Sequence, residues 1–309
     1  MSNPARIALV TPVRDEGKYI AAMIESIIDQ CVRPKKWIIV DDGSTDTTCD
    51  IVRAYARKNS FISLIQLPPR TERRPGGENA IAHALRCINL DDFEFIARFD
   101  ADLRFDCDYL ARILDEFAAD PSLGIAGGGL YIMQGGELRL ERAPSYHVRG
   151  ALKMYRRECY KAIGGLTTQI GWDTIDEVTA WTKGWKTVSF CNFQVLHCRP
   201  TGQGLRAHRV YWERGKADYA TWSHPLFVAA KALKLTVKAA GPASAACFLA
   251  GFLWCYVMRR GRLIDQKFTK TRRRQQWERA KAGIAARLAR LMGSRSDTNV
   301  PRLGIRDGR

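Results

Sequence analysis

The chain has 309 residues, 46% of them hydrophobic and 26% charged, a composition that is typical of a folded protein and excludes a disordered one. This length allows one large domain or two small ones. The net charge of +17 is uneven, because residues 259–309 hold 16 Lys or Arg against 4 Asp or Glu. The excess of positive charge is therefore concentrated in a C-terminal tail. No specific nucleic-acid partner is expected.

The chain carries nine scattered cysteines with no CxxC pair: 31, 49, 87, 107, 159, 191, 198, 247 and 255. This distribution favours free thiols in a reducing cytosol over a disulfide framework. No signal peptide is evident, since the apolar N-terminal run of residues 7–13 is short and holds no cleavage-like site.

The first hundred residues alternate between apolar runs and amphipathic segments. Strands are predicted at residues 6–10, 37–40, 61–65 and 95–99, and helices at residues 20–28, around 51–55, and at 78–88. Short connections between such elements predict a doubly wound α/β domain. Further along, we predict helices at 109–117 and 156–163, a helix after an acidic turn within 171–183, and strands at 124–133, 148–155 and 186–197.

Two apolar strands end abruptly in acids. Asp100 and Asp102 follow the run that begins at Phe95, and Asp41 and Asp42 follow the strand at 37–40. An unpaired charge is costly to bury, so these acids are expected at the carboxyl edge of the sheet, where open α/β sheets bind ligands. Side chains two residues apart face the same way, so Asp100 and Asp102 can reach one cation. The alternative is a solvated turn whose aspartate caps the following helix.

Three segments together resemble the signatures of family 2 glycosyltransferases: Thr11-Pro12-Val13-Arg14-Asp15-Glu16, Val40-Asp41-Asp42-Gly43-Ser44-Thr45-Asp46 and Asp100-Ala101-Asp102. The resemblance covers roughly residues 6–205. It implies the GT-A fold, with a mostly parallel central sheet and helices on both faces, and an inverting transfer from a nucleotide-diphosphate sugar.

The resemblance also implies the donor site. The nucleotide-sugar pocket would be formed by Thr11, Pro12, Glu16, Asp42, Gly43 and Asp100, and a divalent cation, Mn²⁺ or Mg²⁺, would be held by Asp102 and His197. Hard oxygen ligands suit either ion. Asp46 is expected instead to stabilise the turn through hydrogen bonds. For His197, the alternative to binding the cation is a purely structural role. Arg73, Arg74 and Arg206 are possible phosphate contacts, though solvated surface charge also accounts for them.

Direct displacement needs a general base for the acceptor hydroxyl. The segment from Trp172 to Glu177 resembles the family's Glu-Asp base motif but departs from it, since Trp172 stands where the Glu would be. The helix length up to Gly184 favours Asp173, with Asp176 and Glu177 as alternatives. Helical spacing predicts that all three acids line one pocket, while helix capping is the structural alternative for Asp173.

Residues 239–258 contain no charged residue, and basic residues flank them on both sides. We expect a helix or helical hairpin lying in the cytoplasmic leaflet; a membrane span or an ordinary buried helix remain alternatives. The domain prediction is a catalytic domain at 1–222, membrane-associated helices at 223–262 and a partly disordered basic tail at 263–309.

The sequence thus predicts a metal-dependent inverting glycosyltransferase, peripheral or monotopic at the cytoplasmic face of an anionic membrane, acting on a saccharide or lipid-linked acceptor. Two alternatives are an inactive α/β protein that binds a membrane or nucleic acid, and a sugar nucleotidyltransferase. The latter is disfavoured because no Gly-rich loop with a following Lys or Arg stands at the first strand end.

Overall fold

A computed structural model provides the structure of the chain. It describes residues 6–68, 78–141, 144–166, 171–199, 207–237, 241–262, 269–274, 276–278 and 281. The basic segment with Arg73 and Arg74, Arg206 and most of the basic tail lie outside the described residues.

The described part of the chain alternates strands and helices in its first half and ends in helices. The strands are β1 (Ile7–Val13), β2 (Lys36–Asp41), β3 (Ile62–Gln66), β4 (Phe95–Phe99), β5 (Leu103–Phe105), β6 (Leu123–Gln134), β7 (Glu137–Leu140), β8 (Leu152–Arg156) and β9 (Lys186–His197). The helices are α1 (Ile20–Ile28), α2 (Thr48–Lys58), α3 (Glu78–Arg86), α4 (Tyr109–Ala119), α5 (Arg157–Ala162), α6 (Trp172–Thr182), α7 (Ala207–Ala220), α8 (Pro225–Val237) and α9 (Gly241–Val257).

The strands form one mixed sheet with the order β3-β2-β1-β4-β8-β6-β9-β5, and β7 pairs with β6. The expected parallel arrangement holds for β3, β2, β1 and β4. Beyond β4 the sheet changes, because β8 is antiparallel to both β4 and β6, while β6 and β9 run parallel. The carboxyl ends of the first four strands therefore share one edge, next to the loops around β8 and β9.

Helices cover both faces of the sheet, so β1 and β2 are buried nearly throughout. The helix predicted from the spacing of Ile20, Met23, Ile24 and Ile27 buries all four side chains completely. They join one apolar cluster with β1, while α3 packs into a second cluster with Val10, Ile38 and Val40. Burial on both faces explains the continuous apolar runs of these strands.

The structure corrects the prediction of a strand at residues 148–155, because β8 begins at Leu152. The main-chain N–H of Val148 donates to Glu177 on α6 instead of to a neighbouring strand. Two short strands, β5 and β7, were not predicted. Pairing of β5 with β9 matters for the site, since it sets Leu103 opposite His197.

Helices α7, α8 and α9 form a separate layer with its own apolar cluster, which includes Tyr219, Val228 and Phe252. Helices α7 and α9 cross closely, since a Cβ at Gly215 would lie 2.0 Å from the main-chain oxygen of Phe248. The predicted domain boundary at 222/223 falls inside this layer, between α7 and α8. Among the helices described, none combines the length and apolarity that a crossing of the membrane requires.

Candidate functional site

The ends of β1 and β2 bring the predicted nucleotide residues together. Pro12 is opposite Val40 in the parallel register, and the N–H of Asp42 donates to the oxygen of Val13 at 2.9 Å. Asp42 is buried, with 7% of its surface exposed, and Gly43 follows it with a positive φ of 85°. A left-handed residue favours glycine, so the chain turns sharply beside Asp42.

Thr11 and Glu16 flank this edge in different ways. Thr11 is completely buried, and its hydroxyl accepts a hydrogen bond from the indole N–H of Trp37 at 3.0 Å. It therefore supports the edge from beneath. The N–H of Glu16 donates to the hydroxyl of Thr48 at 2.8 Å, which fixes the backbone of Glu16 next to α2.

Asp46 has the turn role that the sequence predicts. Its carboxylate accepts hydrogen bonds from the N–H groups of Thr48 and Gly17, at 3.0 and 2.9 Å. Burial alone would raise the pKa of Asp46, but the bonds from Thr48 and Gly17 lower it below its ordinary value. Asp46 thus ties the loop after β1 to the loop after β2.

Asp102 lies directly after β4 and is almost completely buried. Arg199 donates to it from Nε at 3.0 Å and reaches Oε1 of Glu16 from Nη2 at 2.7 Å. One guanidinium therefore joins the predicted nucleotide side of the edge to the predicted cation side. Burial and the charge of Asp100 raise the pKa of Asp102, against the lowering effect of His197 and Arg199.

His197 ends β9, and its Nε2 lies 3.7 Å from Oδ1 of Asp102. Its Nδ1 lies 3.2 Å from Oε2 of Glu141, which also accepts a hydrogen bond from Arg149 at 3.1 Å. A carboxylate acting on the second ring nitrogen is the usual way of orienting a ligating histidine. Glu141 and Arg149 were not predicted from the sequence.

The donor set of Asp102 and His197 fits a divalent cation in part. Their separation can be bridged by one ion, because each metal–ligand bond is about 2.0–2.2 Å long. Within the described ranges no group of three or more His, Cys, Asp and Glu side chains is arranged to hold a metal. The remaining ligands would then be phosphate oxygens and water, as is common for Mg²⁺.

Asp100 faces a second part of the edge. Its carboxylate pairs with Nη2 of Arg98 at 3.1 Å, and its N–H donates to the oxygen of Ala151 at 2.9 Å. The guanidinium of Arg98 lies over the ring of Trp172, with Cζ 4.4 Å from the ring centroid. Arg98 therefore connects Asp100 with the first turn of α6.

Asp173 is in that first turn and is partly exposed. Gly150 allows the turn to approach the β4 end closely, since a Cβ at this position would lie 2.9 Å from Trp172 and 3.3 Å from the Cβ of Asp173. On the other side of the turn, a Cβ at Gly171 would lie 3.4 Å from Ala217 on α7. The helical layer thus packs against the start of the helix that carries Asp173.

Asp176 and Glu177 lie elsewhere, which corrects the prediction that they line a pocket with Asp173. Their exposed fractions are 3% and 1%. Lys153 Nζ is 2.9 Å from both oxygens of Asp176 and 3.3 Å from Glu177. The i, i+3, i+4 spacing puts the three acids on one side of α6. In the fold, however, the side chains of Asp176 and Glu177 lie in the core, where the buried ammonium of Lys153 compensates their negative charge.

Two further polar side chains complete this buried network. The hydroxyl of Tyr155 donates to Asp176 at 2.6 Å, and Nδ1 of His147 lies 2.9 Å from Glu177. Burial alone would lower the pKa of Lys153, but the charges of Asp176 and Glu177 raise it above its ordinary value. Lys153 therefore stays protonated, and the network is a structural support beneath α6.

Arg98, Lys153 and Arg199 were not predicted from the sequence as residues of this site. Arg98 and Lys153 did carry a signal, because each is a charged residue between two apolar neighbours in a strand and needs a partner if it is buried. Nothing local distinguishes Arg199 from the many other arginines of this chain.

Comparison with known families identifies the family of this chain. The model of Glycosyl transferase family 2 matches residues 8–169, which is more than half of the chain. The chain belongs to glycosyl transferase family 2. The matched residues include β1 to β4, both acidic strand ends and β8, while α6 and His197 lie beyond them.

Two curated relatives of this family 2 chain are bacterial. The chain is 27% identical over 127 residues to the putative teichuronic acid biosynthesis glycosyltransferase TuaG of Bacillus subtilis, covering 41% of the chain and 47% of TuaG. It is 25% identical over 122 residues to the poly-beta-1,6-N-acetyl-D-glucosamine synthase of Staphylococcus epidermidis, covering 40% and 28%. The chain thus spans less than half the length of these relatives.

Solved structures share the fold. The mannosyltransferase PcManGT of Pyrobaculum calidifontis, in complex with GDP-Man and Mn²⁺, has a TM-score of 0.55 at 18% identity, covering 93% of this chain and 81% of PcManGT. TarS of S. aureus, residues 1–349 in complex with UDP-GlcNAc, has a TM-score of 0.52 at 16% identity, covering 80% and 71%. The family 2 chain therefore has the GT-A α/β fold expected from its sequence.

Proposed function

We propose that this family 2 chain transfers a sugar, with inversion, from a nucleotide-diphosphate sugar to an acceptor hydroxyl. The observation that carries the proposal is the junction at Arg199, where Glu16 from the nucleotide side and Asp102 from the cation side meet one guanidinium. The bound GDP-Man of PcManGT and UDP-GlcNAc of TarS support the donor class.

Each part of the edge has a task in this reaction. Asp42 accepts hydrogen bonds from the nucleoside. Its carboxylate stands at the end of a strand, and the glycine turn beside it lets a ligand approach the backbone. Asp100, which is partly exposed beside Arg98, contacts the ribose. Asp102 and His197 would hold Mn²⁺ or Mg²⁺, and such a cation supplies charge compensation for the leaving diphosphate. The Mn²⁺ in the PcManGT complex supports this choice of ion.

Asp173 is the proposed general base. It is the partly exposed acid of the three in α6, at the turn next to Gly150 and close to the Asp100 end of the edge. A base that removes the acceptor proton during direct displacement contributes roughly 10²–10⁴ in rate. Attack from the side opposite the leaving diphosphate produces inversion. Asp176 and Glu177 have no direct part, because Lys153 and His147 occupy their carboxylates.

We also propose that the acceptor is a saccharide or a lipid-linked saccharide at the cytoplasmic face of a membrane. Residues 219–264 hold six Lys or Arg and no acid. On α8 and α9 they expose large apolar side chains by more than half: Leu226, Leu233, Val237, Leu253, Tyr256 and Val257. Exposed apolar side chains in a segment that carries only basic charges suit an anionic lipid surface. A second copy of this chain is a less suitable partner, because two segments with the same positive charge repel each other. The two bacterial relatives, whose names refer to polysaccharide synthesis, support such an acceptor.

Donor hydrolysis tests the enzyme proposal. Full-length protein is incubated with UDP-, GDP- and dTDP-sugars with and without Mn²⁺, and released nucleotide is measured. We expect one donor class to be hydrolysed in a Mn²⁺-dependent way, and Asp102→Asn to abolish the release. Asp108→Asn is the matched control, since Asp108 is an exposed acid near the start of α4 whose carboxylate lies 3.9 Å from Arg112. Absence of hydrolysis and of nucleotide binding with every donor would refute the proposal.

Vesicle co-sedimentation tests the membrane proposal. We expect binding to vesicles of phosphatidylcholine with phosphatidylglycerol at low salt, and much less binding to phosphatidylcholine alone or at high salt, because each basic residue near an anionic surface contributes about 1 kcal/mol. Leu233→Asp combined with Val237→Asp should reduce the binding. Met133→Asp is the control, since Met133 is an exposed apolar residue on β6. Equal binding by all three proteins would contradict the assigned face.

A further inference from the structure

Arg199 lies between two carboxylates that come from different strand ends. Its Nη2 is 2.7 Å from Oε1 of Glu16 and 3.0 Å from Oδ2 of Asp102, and its Nε is also 3.0 Å from that Asp102 oxygen. Both acids are about nineteen-twentieths buried. Buried carboxylates need a positive partner, and in this arrangement the guanidinium is a positive partner that they share.

This position conflicts with a cation at the same place. A divalent ion held by Asp102 requires carboxylate oxygens. Oδ2 of Asp102 already accepts a hydrogen bond from Nε of Arg199 and lies 3.0 Å from its Nη2. A guanidinium and a divalent ion next to each other would also repel strongly at short distance in a buried site. A cation that binds both oxygens of Asp102 therefore requires Arg199 to move away. A cation bound through Oδ1 alone, beside His197, is repelled by the guanidinium for as long as Arg199 stays in place.

Arg199 is placed so that it can move. Its side chain is 28% exposed, in contrast to that of Lys153 in the buried network, which is 0% exposed. Its Cζ also lies 5.6 Å from the centroid of the Tyr19 ring. The guanidinium can thus leave towards solvent without opening the core. Its planar fork also matches phosphate oxygens, which it can bind in a bidentate manner.

We propose that Arg199 is an exchangeable counter-ion that couples cation binding to nucleotide binding. Without donor it neutralises Glu16 and Asp102 and keeps the affinity for the cation low. When a nucleoside diphosphate binds, Arg199 moves to the phosphates and releases Asp102 for the cation. The inference rests on the proposed function, because it requires a diphosphate in this site.

The test is the affinity of the full-length protein for Mn²⁺, measured from the electron paramagnetic resonance signal of free Mn²⁺. Without nucleotide, we expect Arg199→Met to bind Mn²⁺ about tenfold more tightly than the unmodified protein, within the range typical of coupling between sites. Arg199→Lys should lie between the two, because an ammonium lacks the fork that holds both carboxylates. With GDP or UDP present, the gain in Mn²⁺ affinity should be smaller in Arg199→Met than in the unmodified protein.

Arg104→Met is the matched control for a general loss of positive charge. Arg104 lies on β5, two residues after Asp102, and is exposed. If it tightens Mn²⁺ binding as much as Arg199→Met, or if Arg199→Met binds Mn²⁺ no better than the unmodified protein, the proposal is overturned. Thermal unfolding shows that each variant is folded, and Arg199→Lys carries the test should Arg199→Met not fold. If the unmodified protein binds neither nucleotide nor Mn²⁺, the proposed function itself fails.

Discussion

Lys153 donates a hydrogen bond from Nζ to the main-chain oxygen of Asp173 at 2.7 Å. The same ammonium holds Asp176 and Glu177 beneath the helix. The proposed base is therefore positioned through its backbone by a residue that has no exposed surface, while its carboxylate is left for chemistry.

Lys153→Met should destabilise the fold strongly. It leaves the carboxylates of Asp176 and Glu177 buried without their ammonium, and breaking a buried pair costs about 3–5 kcal/mol. Urea unfolding measures the change in the free energy of unfolding. The triple variant Lys153→Met, Asp176→Asn, Glu177→Gln removes the uncompensated charges and should recover part of the loss. A loss below about 1 kcal/mol in the single variant would contradict the structural role of this network.

Asp173→Asn and Asp176→Asn should separate catalysis from stability. The first is expected to lower kcat for transfer by about 10²–10⁴, the usual contribution of a general base, with donor affinity and the free energy of unfolding unchanged. The second should lower the free energy of unfolding, because Lys153 and Tyr155 lose their charged partner. Transfer assays, donor titration and urea unfolding on both variants give the comparison. Retained transfer in Asp173→Asn would remove Asp173 as the base.

Gly150→Ala should impair turnover more than folding. The added Cβ would lie 2.9 Å from the ring of Trp172, so the first turn of α6 must shift. Misplacement of a catalytic group by about 1 Å can cost roughly 10²-fold in rate, whereas overpacking costs about 1–3 kcal/mol. We expect kcat to fall at least about tenfold. Gly261→Ala is the control, because nothing lies within 4 Å of a Cβ at Gly261. Equal kcat in both variants would contradict the prediction.

Asp218→Asn should give a pH-dependent loss of stability in the helical layer. Burial alone would raise the pKa of Asp218, but Lys231 and the hydroxyl of Ser223 lower it below its ordinary value of 3.8. A lowered pKa means that the carboxylate stabilises the fold above about pH 4 and loses this effect as the pH falls through the native value.

The expected difference between the unmodified protein and Asp218→Asn is about 1–3 kcal/mol at pH 7, reduced from that of a fully buried pair because the side chain of Lys231 is 33% exposed. Urea unfolding at pH 7, 5 and 3 measures it. The difference should persist at pH 5 and shrink at pH 3. A difference that grows on acidification would show that the pair does not act as described.

The first half of the fold was predictable because its information is local. Parallel strands covered on both faces give continuous apolar runs, so β1, β2 and β4 were evident from the sequence, and the acids at their ends marked the ligand edge of the sheet. The stripe beginning at Ile20 predicted α1 in the same way. These patterns, in their order and spacing, also carried the resemblance to family 2.

The second half was less predictable because parallel and antiparallel pairs are mixed there, and most of them join strands that are far apart in sequence. The start of β8 depended on whether the N–H of Val148 would pair with a strand or with Glu177, and periodicity does not contain that information. The roles of the three acids on α6 also depended on contacts with residues that are not close in sequence. Asp176 and Glu177 became structural because Lys153, from a distant strand, lies beneath them.

The sequence by itself determined the α/β plan and the acidic edge of the sheet, since both follow from hydrophobic periodicity and from the cost of burying a charge. Only the tertiary structure decided which charges face each other: Arg199 with Glu16 and Asp102, and Lys153 with Asp176. Coulomb and hydrogen-bond partners are set by distances of a few ångströms between residues as many as 183 positions apart, and such distances exist only after the chain has folded.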